Sequence, residues 1–279
     1  MSEAALQSYI DKWLAVQPQQ RIALAFVDQA MYPGHIALAA LEQELLAAAY
    51  GIREPQVAAG KLNWWAEELS GAAASGGRHP LTQVLFDDER AHALPSECWV
   101  APVLAAMAQL EEGTAADFPA QLAAGSLLHG ALAELETAWW FGEQASSARA
   151  ARVAKLSHLG FSLLRLEEDA ERDRLALPMA RLARYGLSRS QLRTASAARE
   201  DAVRAQLDDL HAAWRESERL PGPLSAFRGL ESRHGSVLVA RARKATAPLE
   251  VLRQGQGRQG PRVTWQAWQA ARAWRRQVG

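Results

Sequence analysis

The sequence lacks the features that would mark a secreted, membrane-spanning or nucleic-acid-binding protein. Cys98 is the only cysteine, which excludes an intramolecular disulfide and favours a reducing compartment. No uncharged apolar run approaches the ~18 residues that a membrane span needs. The 31 basic and 31 acidic side chains cancel, so no net field attracts nucleic acid. An N-terminus with Glu3 and Asp11 lacks the basic start of a secretory signal, and we expect a cytoplasmic protein.

A β-strand pattern is also missing. No segment alternates Val, Ile or Thr with polar residues, whereas alanine and leucine are abundant and apolar residues recur every three or four positions. This pattern predicts an all-α protein, which proline and glycine divide into roughly a dozen helices with short connections. We expect one helical domain over 1–252, a flexible glycine-rich linker over 253–261 and a separate C-terminal helix over 262–279.

Two segments carry residues in a recognisable order. The first, 54–85, contains a tryptophan pair, an acidic EEL and an HP that starts the next helix: Leu62, Trp64, Trp65, Glu67, Glu68, Leu69, His79 and Pro80. The second, 154–186, has an acidic helix followed by Leu177, Pro178, Leu182, Tyr185 and Gly186. In this order the two segments resemble the squalene/phytoene synthase family, and the resemblance covers about residues 20–195.

The resemblance implies an isoprenoid-synthase-type helical bundle around a central apolar cavity. In that family two aspartate-rich helices face each other across the cavity and hold magnesium ions that bind the diphosphate of a prenyl donor. Aspartates at i and i+4 present two carboxylates on one helical face, and Mg²⁺ prefers such hard oxygen ligands. The metal neutralises the leaving diphosphate, while apolar walls exclude water.

Neither aspartate motif is complete in this chain. The upstream helix, HIALAALEQELLAAAYG, offers only Glu42 and Glu44, which lie two apart and therefore on different faces. Counting back from the LP at 177–178, the second aspartate of the family falls on Asp169 and the first on Arg165. A unit charge ~4 Å from a divalent ion interacts by ~8 kcal/mol at an effective dielectric of ~20, so this arginine turns a large attraction into a large repulsion.

Several roles remain open for the residues around this substitution. Arg165 can pair with Glu168 or Asp169 within the helix, or it can contact an anionic ligand directly, because guanidinium binds phosphate without metal. Alternatively Asp169 and Asp173, at i and i+4, form a rearranged metal site that Glu44 completes. These five residues are the candidates for head-group binding, and the two aspartates are the candidate metal ligands.

Ten tryptophans are many for this length. We expect Trp64, Trp65, Trp139 and Trp140 to line or close the central cavity, with ordinary core packing as the alternative. In the C-terminal helix, Trp265 and Trp268 share one face, and Arg272, Arg275 and Arg276 crowd the last turn. Such a helix either lies on an anionic membrane as a peripheral contact or folds back onto the domain.

Two hypotheses for function follow. In the first, the chain is a divergent family member and pseudoenzyme with a degenerate metal site and no expected cofactor. It keeps the apolar cavity for a prenyl or lipid-like ligand, or acts as an assembly or interaction factor with a protein partner. A family branch with a similar loss of aspartates is linked to respiratory complex I assembly. In the alternative, Asp169, Asp173 and Glu44 serve an active Mg-dependent prenyl-diphosphate transferase that performs head-to-head condensation in isoprenoid biosynthesis.

Overall fold

The computed structural model describes residues 3–172 and 174–278, and within these ranges the chain is helical and has no β-strand. The all-α prediction is therefore confirmed, while Asp173 lies outside the described residues. The helices are α1 Glu3–Val16, α2 Gln20–Leu24, α3 Pro33–Gly51, α4 Pro55–Ser75, α5 Pro80–Phe86, α6 Glu89–Ala93, α7 Ser96–Gln109, α8 Phe118–Ala123, α9 Ser126–Phe141, α10 Ala148–Leu164, α11 Leu166–Glu171, α12 Met179–Arg184, α13 Ala197–Ser217, α14 Ala226–Ala242, α15 Pro248–Gln256 and α16 Pro261–Val278, with a 3₁₀ turn at Ser190–Arg193.

Proline fixes where several helices begin. Pro33, Pro55, Pro80 and Pro248 each occupy the first position of a helix. At that position the missing N–H would have no intrahelical partner, and the fixed φ already suits a helix. These four proline breaks in the sequence are thus helix starts.

The EEL and HP motifs meet at a buried carboxylate. Glu68 on α4 accepts hydrogen bonds from the backbone N–H groups of Arg78 (2.6 Å) and His79 (2.8 Å) and from the Thr82 hydroxyl (2.6 Å). Burial alone would raise the pKa of Glu68, but these hydrogen bonds lower it to about 2. The carboxylate therefore fixes the start of α5, and this part of the motif is structural.

Buried side chains form two hydrophobic clusters with a seam between them. The first comes mainly from α1 to α9 together with α16, and the second from α10 to α15. Both α3 and α10 border the seam, and each lines the same two cavities. Within the described residues, no helix is long and apolar enough to cross a membrane.

The C-terminal helix α16 packs on the domain against α2, α9 and α14. Its inner face buries Val263, Ala267, Ala270 and Trp274. The Trp274 ring meets the Trp140 ring edge-on, with centroids 5.0 Å apart. Of the two alternatives, folding back onto the domain is the one that the structure shows.

The predicted linker over 253–261 is shorter than its composition indicated. Helix α15 continues through Gln256, which leaves only 257–260 between α15 and α16. A Cβ on Gly255 would stand 2.1 Å from Leu238 Cδ1. Gly255 therefore serves close packing of α15 on α14, a use of glycine that composition alone does not distinguish from flexibility.

Candidate functional site

The acidic segment forms two helices that meet at Arg165. Helix α10 ends at Leu164, α11 begins at Leu166, and Arg165 between them has φ −98° and ψ 10°. A cation at the carboxyl end of α10 is favourable because the exposed carbonyls there carry partial negative charge. The backbone thus brings the Arg165 side chain to the point where the two helices join.

Arg165 forms an ion pair with Asp169. Its Nη2 lies 3.3 Å from Asp169 Oδ1, and its Nε lies 3.8 Å from Glu168 Oε2. The Asp169 side chain is 13% exposed, whereas that of Glu168 is 66% exposed. Burial raises the pKa of Asp169, and the neighbouring arginines oppose that rise. Asp169 is therefore the partner of Arg165, and Glu168 faces solvent.

Arg165 and Asp169 line a cavity of about 310 Å³, here called the polar cavity. Its walls come from the end of α3, the segment after α7, one face of α10 and residues 174–178. Four cationic side chains line it against two carboxylates: Arg53, Lys155, Arg165 and Arg174, with Glu112 and Asp169. The polar cavity therefore has an excess of positive charge and suits an anionic group.

A second cavity of about 290 Å³, the apolar cavity, lies alongside. Aliphatic and aromatic residues make up much of its wall, among them Leu46, Leu156, Leu164, Trp214, Leu238, Val239 and Leu252. Four residues border both cavities: Tyr50, His158, Phe161 and Arg165. An elongated molecule with a charged end could therefore occupy both spaces, with Arg165 at the junction.

The polar face of α10 is the feature that the motif comparison missed. Lys155, His158, Ser162 and Arg165 follow at steps of three, four and three residues and all line the polar cavity. Arg174, which follows α11 and also lines the polar cavity, donates to the backbone carbonyls of Tyr50 and Ile52 near the end of α3. The three- and four-residue spacing of these polar side chains is the signal that the sequence carries for this face.

The wall contributed by α3 carries no carboxylate near Asp169. The α3 residues that line the polar cavity together with Asp169 are Ala49 and Tyr50. Glu44 lies outside the lining of both cavities and pairs with Lys61 Nζ at 2.7 Å and Lys12 Nζ at 3.8 Å. The structure therefore does not bring Glu44 and Asp169 together, because Glu44 lies outside the cavity that Asp169 lines and pairs with Lys61 on α4.

Glu42 belongs to a buried charge cluster at the far end of the apolar cavity. Arg228 donates to Glu42 (2.8 and 2.7 Å), to Glu136 (2.9 Å) and to Glu231 (2.8 Å). Burial raises the pKa of Glu42 to about 7 and also raises the pKa of Glu231, while Arg228 opposes both shifts. The cluster joins α3, α9 and α14, and we regard it as structural support for the seam.

The squalene/phytoene synthase family model matches residues 19–269. The chain belongs to this family. Among solved structures, it is similar to squalene synthase HpnC from Alicyclobacillus acidocaldarius at 16% identity, with 90% of this chain and 95% of that one covered and a TM-score of 0.61. It is also similar to a dehydrosqualene synthase in complex with ligand, at 9% identity, 90% and 97% coverage and a TM-score of 0.63. No curated protein sequence matches the chain.

The family implies magnesium, but the described part of the chain does not assemble a ligand set for it. Over 3–172 and 174–278, no three His, Cys, Asp or Glu side chains come together as metal ligands. Asp169 is paired with a cation, and Glu44 is paired with Lys61 elsewhere. As placed, Asp169 and Glu44 therefore do not form a shared metal site, while Asp173, the other candidate metal ligand, lies outside the described residues.

The four tryptophans expected in the cavity wall lie elsewhere. Trp65, Trp139 and Trp140 are at most 5% exposed within the first hydrophobic cluster, and Trp64 is 38% exposed at the surface. None of the four lines the polar or the apolar cavity. Their rings pack against other aromatic rings, such as His35 against Trp140 at 4.4 Å. The core-packing alternative therefore describes the three buried ones.

Proposed function

We propose that this family member binds a single-chain amphiphile of prenyl or lipid-like type without metal. The tail occupies the apolar cavity and the anionic head occupies the polar cavity, where cationic side chains hold it directly. The observation that carries the proposal is the junction of the two cavities at Arg165. Each cavity is near the lower end of the volume range of small-molecule sites, about 300 Å³.

The charges around the head-group space support direct recognition. Arginine presents several N–H donors in a planar fork that matches phosphate oxygens. Arg174 is held in place by the carbonyls of Tyr50 and Ile52, which do not neutralise its charge. Arg165 pairs with Asp169 at 3.3 Å and less closely with the exposed Glu168 at 3.8 Å. An anionic head would replace or join that carboxylate, and the binding would need no bridging ion.

Calorimetry with farnesyl diphosphate tests this proposal. Binding should be equal in EDTA and in Mg²⁺, and Arg165→Ala should weaken it about 10- to 100-fold, the usual effect of removing a hydrogen bond to a charged group. Binding that requires Mg²⁺, or condensation of two prenyl diphosphates in its presence, would instead support the active head-to-head transferase and overturn the proposal.

The position of the tail can be tested separately. Gly160 on α10 lines the apolar cavity, and a Cβ there would meet no atom within 4 Å. Gly160→Leu should therefore fill part of the cavity without disturbing the fold and should abolish farnesyl diphosphate binding. Gly130→Leu on α9, also with free space and outside both linings, is the matched control. Equal loss in both variants would contradict the assignment of the tail.

A further inference from the structure

Lys155 is a buried cation of the polar cavity whose own role the proposed function does not specify. The residue is only 7% exposed and lines the polar cavity. Among the described residues, no carboxylate lies within ion-pair distance of its ammonium group, and no hydrogen bond to it is formed. A charge in so buried a place is costly without a counter-ion, so the cavity beside Lys155 is a favourable place for an anion.

The ammonium group of Lys155 lies among polar side chains that pack closely around Gly125. Gly125 is the residue immediately before α9, and its φ is +67°. A Cβ at that position would stand 2.5 Å from Gln109 Oε1, 2.7 Å from the Tyr50 hydroxyl and 3.3 Å from Lys155 Nζ. Three polar groups from α3, α7 and α10 therefore converge beside one another at this end of the polar cavity.

We propose that Lys155 binds a phosphate oxygen of the ligand head, so that affinity depends on the protonation of this one amine. The inference rests on the proposed function as far as the ligand's apolar tail is concerned. The contact of Lys155 with the head group can be tested without a tail, because an inorganic anion can occupy the same place. The ligand class is a phosphate or diphosphate ester, because several cations surround the space and a head with two negative charges uses more of them.

The protonation state of Lys155 changes within an accessible pH range. Burial lowers the pKa of Lys155 to about 8, and the charge of Glu112 opposes the shift. An anion bound to the ammonium form raises this pKa, so binding takes up a proton above pH 8. Affinity should therefore be full near pH 7 and should fall, by at most about tenfold per pH unit, as the pH rises beyond 8.

Other groups facing this space do not share that titration. Burial lowers the pKa of His158 to about 3 and lowers that of His129 well below its usual value, whereas burial raises the pKa of Tyr50. The charged groups around Lys155 from the neighbouring elements are Arg53, Glu112, Arg165, Asp169 and Arg174. A fall in affinity between pH 8 and 9.5 can thus be assigned by replacing Lys155 alone.

Affinity for farnesyl diphosphate in EDTA, measured from pH 7 to pH 9.5, tests the proposal. Lys155→Met should bind about 10- to 100-fold more weakly at pH 7 and should show no pH dependence. Lys155→Arg should keep its affinity at pH 9.5, where the wild type has lost it. Lys244→Met, an exposed lysine after α14, is the matched control and should behave as wild type. An unchanged profile in Lys155→Met would overturn the role of Lys155 and leave the proposed function standing.

NMR titration of the lysine side chains distinguishes an error in the Lys155 proposal from an error in the assignment of the ligand tail. The chain has four lysines, Lys12, Lys61, Lys155 and Lys244, so each Cε signal can be titrated individually. Inorganic diphosphate should raise the pKa of Lys155 by one unit or more while those of the other three stay constant. If farnesyl diphosphate fails to bind but this shift occurs, the tail assignment is wrong and the head site holds. If no shift occurs at saturating diphosphate, the Lys155 proposal is wrong.

Discussion

Arg165 and Asp169 stand one helical turn apart, with Nη2 and Oδ1 separated by 3.3 Å, at the junction of two cavities. In the family, this turn presents two carboxylates to magnesium. Here the same turn presents one charge of each sign, so it neutralises itself. Beside this pair, the polar cavity keeps the positive charges of Lys155, Arg174 and Arg53 against the single carboxylate of Glu112.

Removing the carboxylate of this pair should therefore increase the affinity for an anionic ligand. Asp169→Asn frees Arg165 and should tighten farnesyl diphosphate binding in EDTA by about fivefold, which corresponds to the ~1 kcal/mol of an ordinary ion pair. Calorimetry checks the change, and Glu168→Gln is the control, because Glu168 is 66% exposed and 3.8 Å from Arg165. If Asp169 were a metal ligand, wild type would bind only in Mg²⁺, and the same substitution would abolish that binding.

The fold and part of the site could be predicted from the sequence because they depend on local spacing. The Trp-Trp, HP and LP motifs indicated the family, and the i, i+4 separation of Arg165 and Asp169 indicated their pairing. Such relationships follow from helix geometry alone. The break of the helix at Arg165 did not follow, because nothing in LLRLEED marks a boundary by proline or glycine.

The remaining features depend on how helices are rotated against one another. The sequence places Glu42 and Glu44 on different faces of α3, but it does not indicate that Glu42 pairs with Arg228 at the seam and Glu44 with Lys61 on α4. Likewise Lys155 gains its importance from Gly125 and Tyr50, which lie 30 and 105 positions earlier in the chain and meet it only through packing. Hydrophobicity is consistent with the burial of Trp65, Trp139 and Trp140, but it could not distinguish a core from a cavity wall.

The Arg228 cluster should be essential for stability. Arg228→Met would leave three carboxylates, on Glu42, Glu136 and Glu231, buried without their counter-ion. We expect a loss of about 3–5 kcal/mol in the free energy of unfolding, typical of breaking a buried ion pair. Urea denaturation measures this loss. Arg243→Met, which breaks the more exposed pair with Asp208, should cost less than about 1 kcal/mol, and a similar cost in both variants would contradict the expectation.

Stability should also depend on pH through Glu42. Because burial raises the pKa of this carboxyl in the folded protein to about 7, the folded state binds the proton more tightly than the unfolded state does. The resulting stabilisation is full at acidic pH and is lost as the pH rises through 7. Between pH 5.5 and pH 8, wild type should therefore lose on the order of 1–3 kcal/mol relative to Glu42→Gln. Urea denaturation measures the free energy of unfolding of both proteins at both pH values. If it changes by the same amount in wild type and in Glu42→Gln, this expectation is wrong.

Gly125 should not tolerate a side chain. Its φ of +67° disfavours any L residue, and a Cβ would collide with Gln109 and Tyr50. Gly125→Ala should reduce the free energy of unfolding by about 2 kcal/mol or more. Gly130→Ala, five residues later in the same helix and with open space at its Cβ position, should instead stabilise by up to about 1 kcal/mol. Thermal unfolding of the two variants compares them directly, and a matching decrease in both would contradict the conformational argument.

The outer face of α16 should bind anionic membranes although its inner face is docked. Trp265 is 56% exposed and stacks on Trp268 with ring centroids 4.6 Å apart, beside an open groove that includes Ile22 and Phe26. The helix carries Arg262, Arg272, Arg275 and Arg276 and no acidic residue. Aromatic rings and arginines on one surface suit the headgroup region of a bilayer.

Sedimentation with phosphatidylglycerol vesicles measures this binding. We expect the protein to pellet with these vesicles at low salt, to remain in solution with phosphatidylcholine vesicles, and to be released as salt screens the arginines. Trp265→Ala should weaken binding, whereas Trp64→Ala, which removes an exposed tryptophan from α4, should not. Equal binding by Trp265→Ala and wild type would assign the contact to another surface. Because Trp265 does not line either of the two joined cavities, ligand affinity in solution should be the same in both proteins.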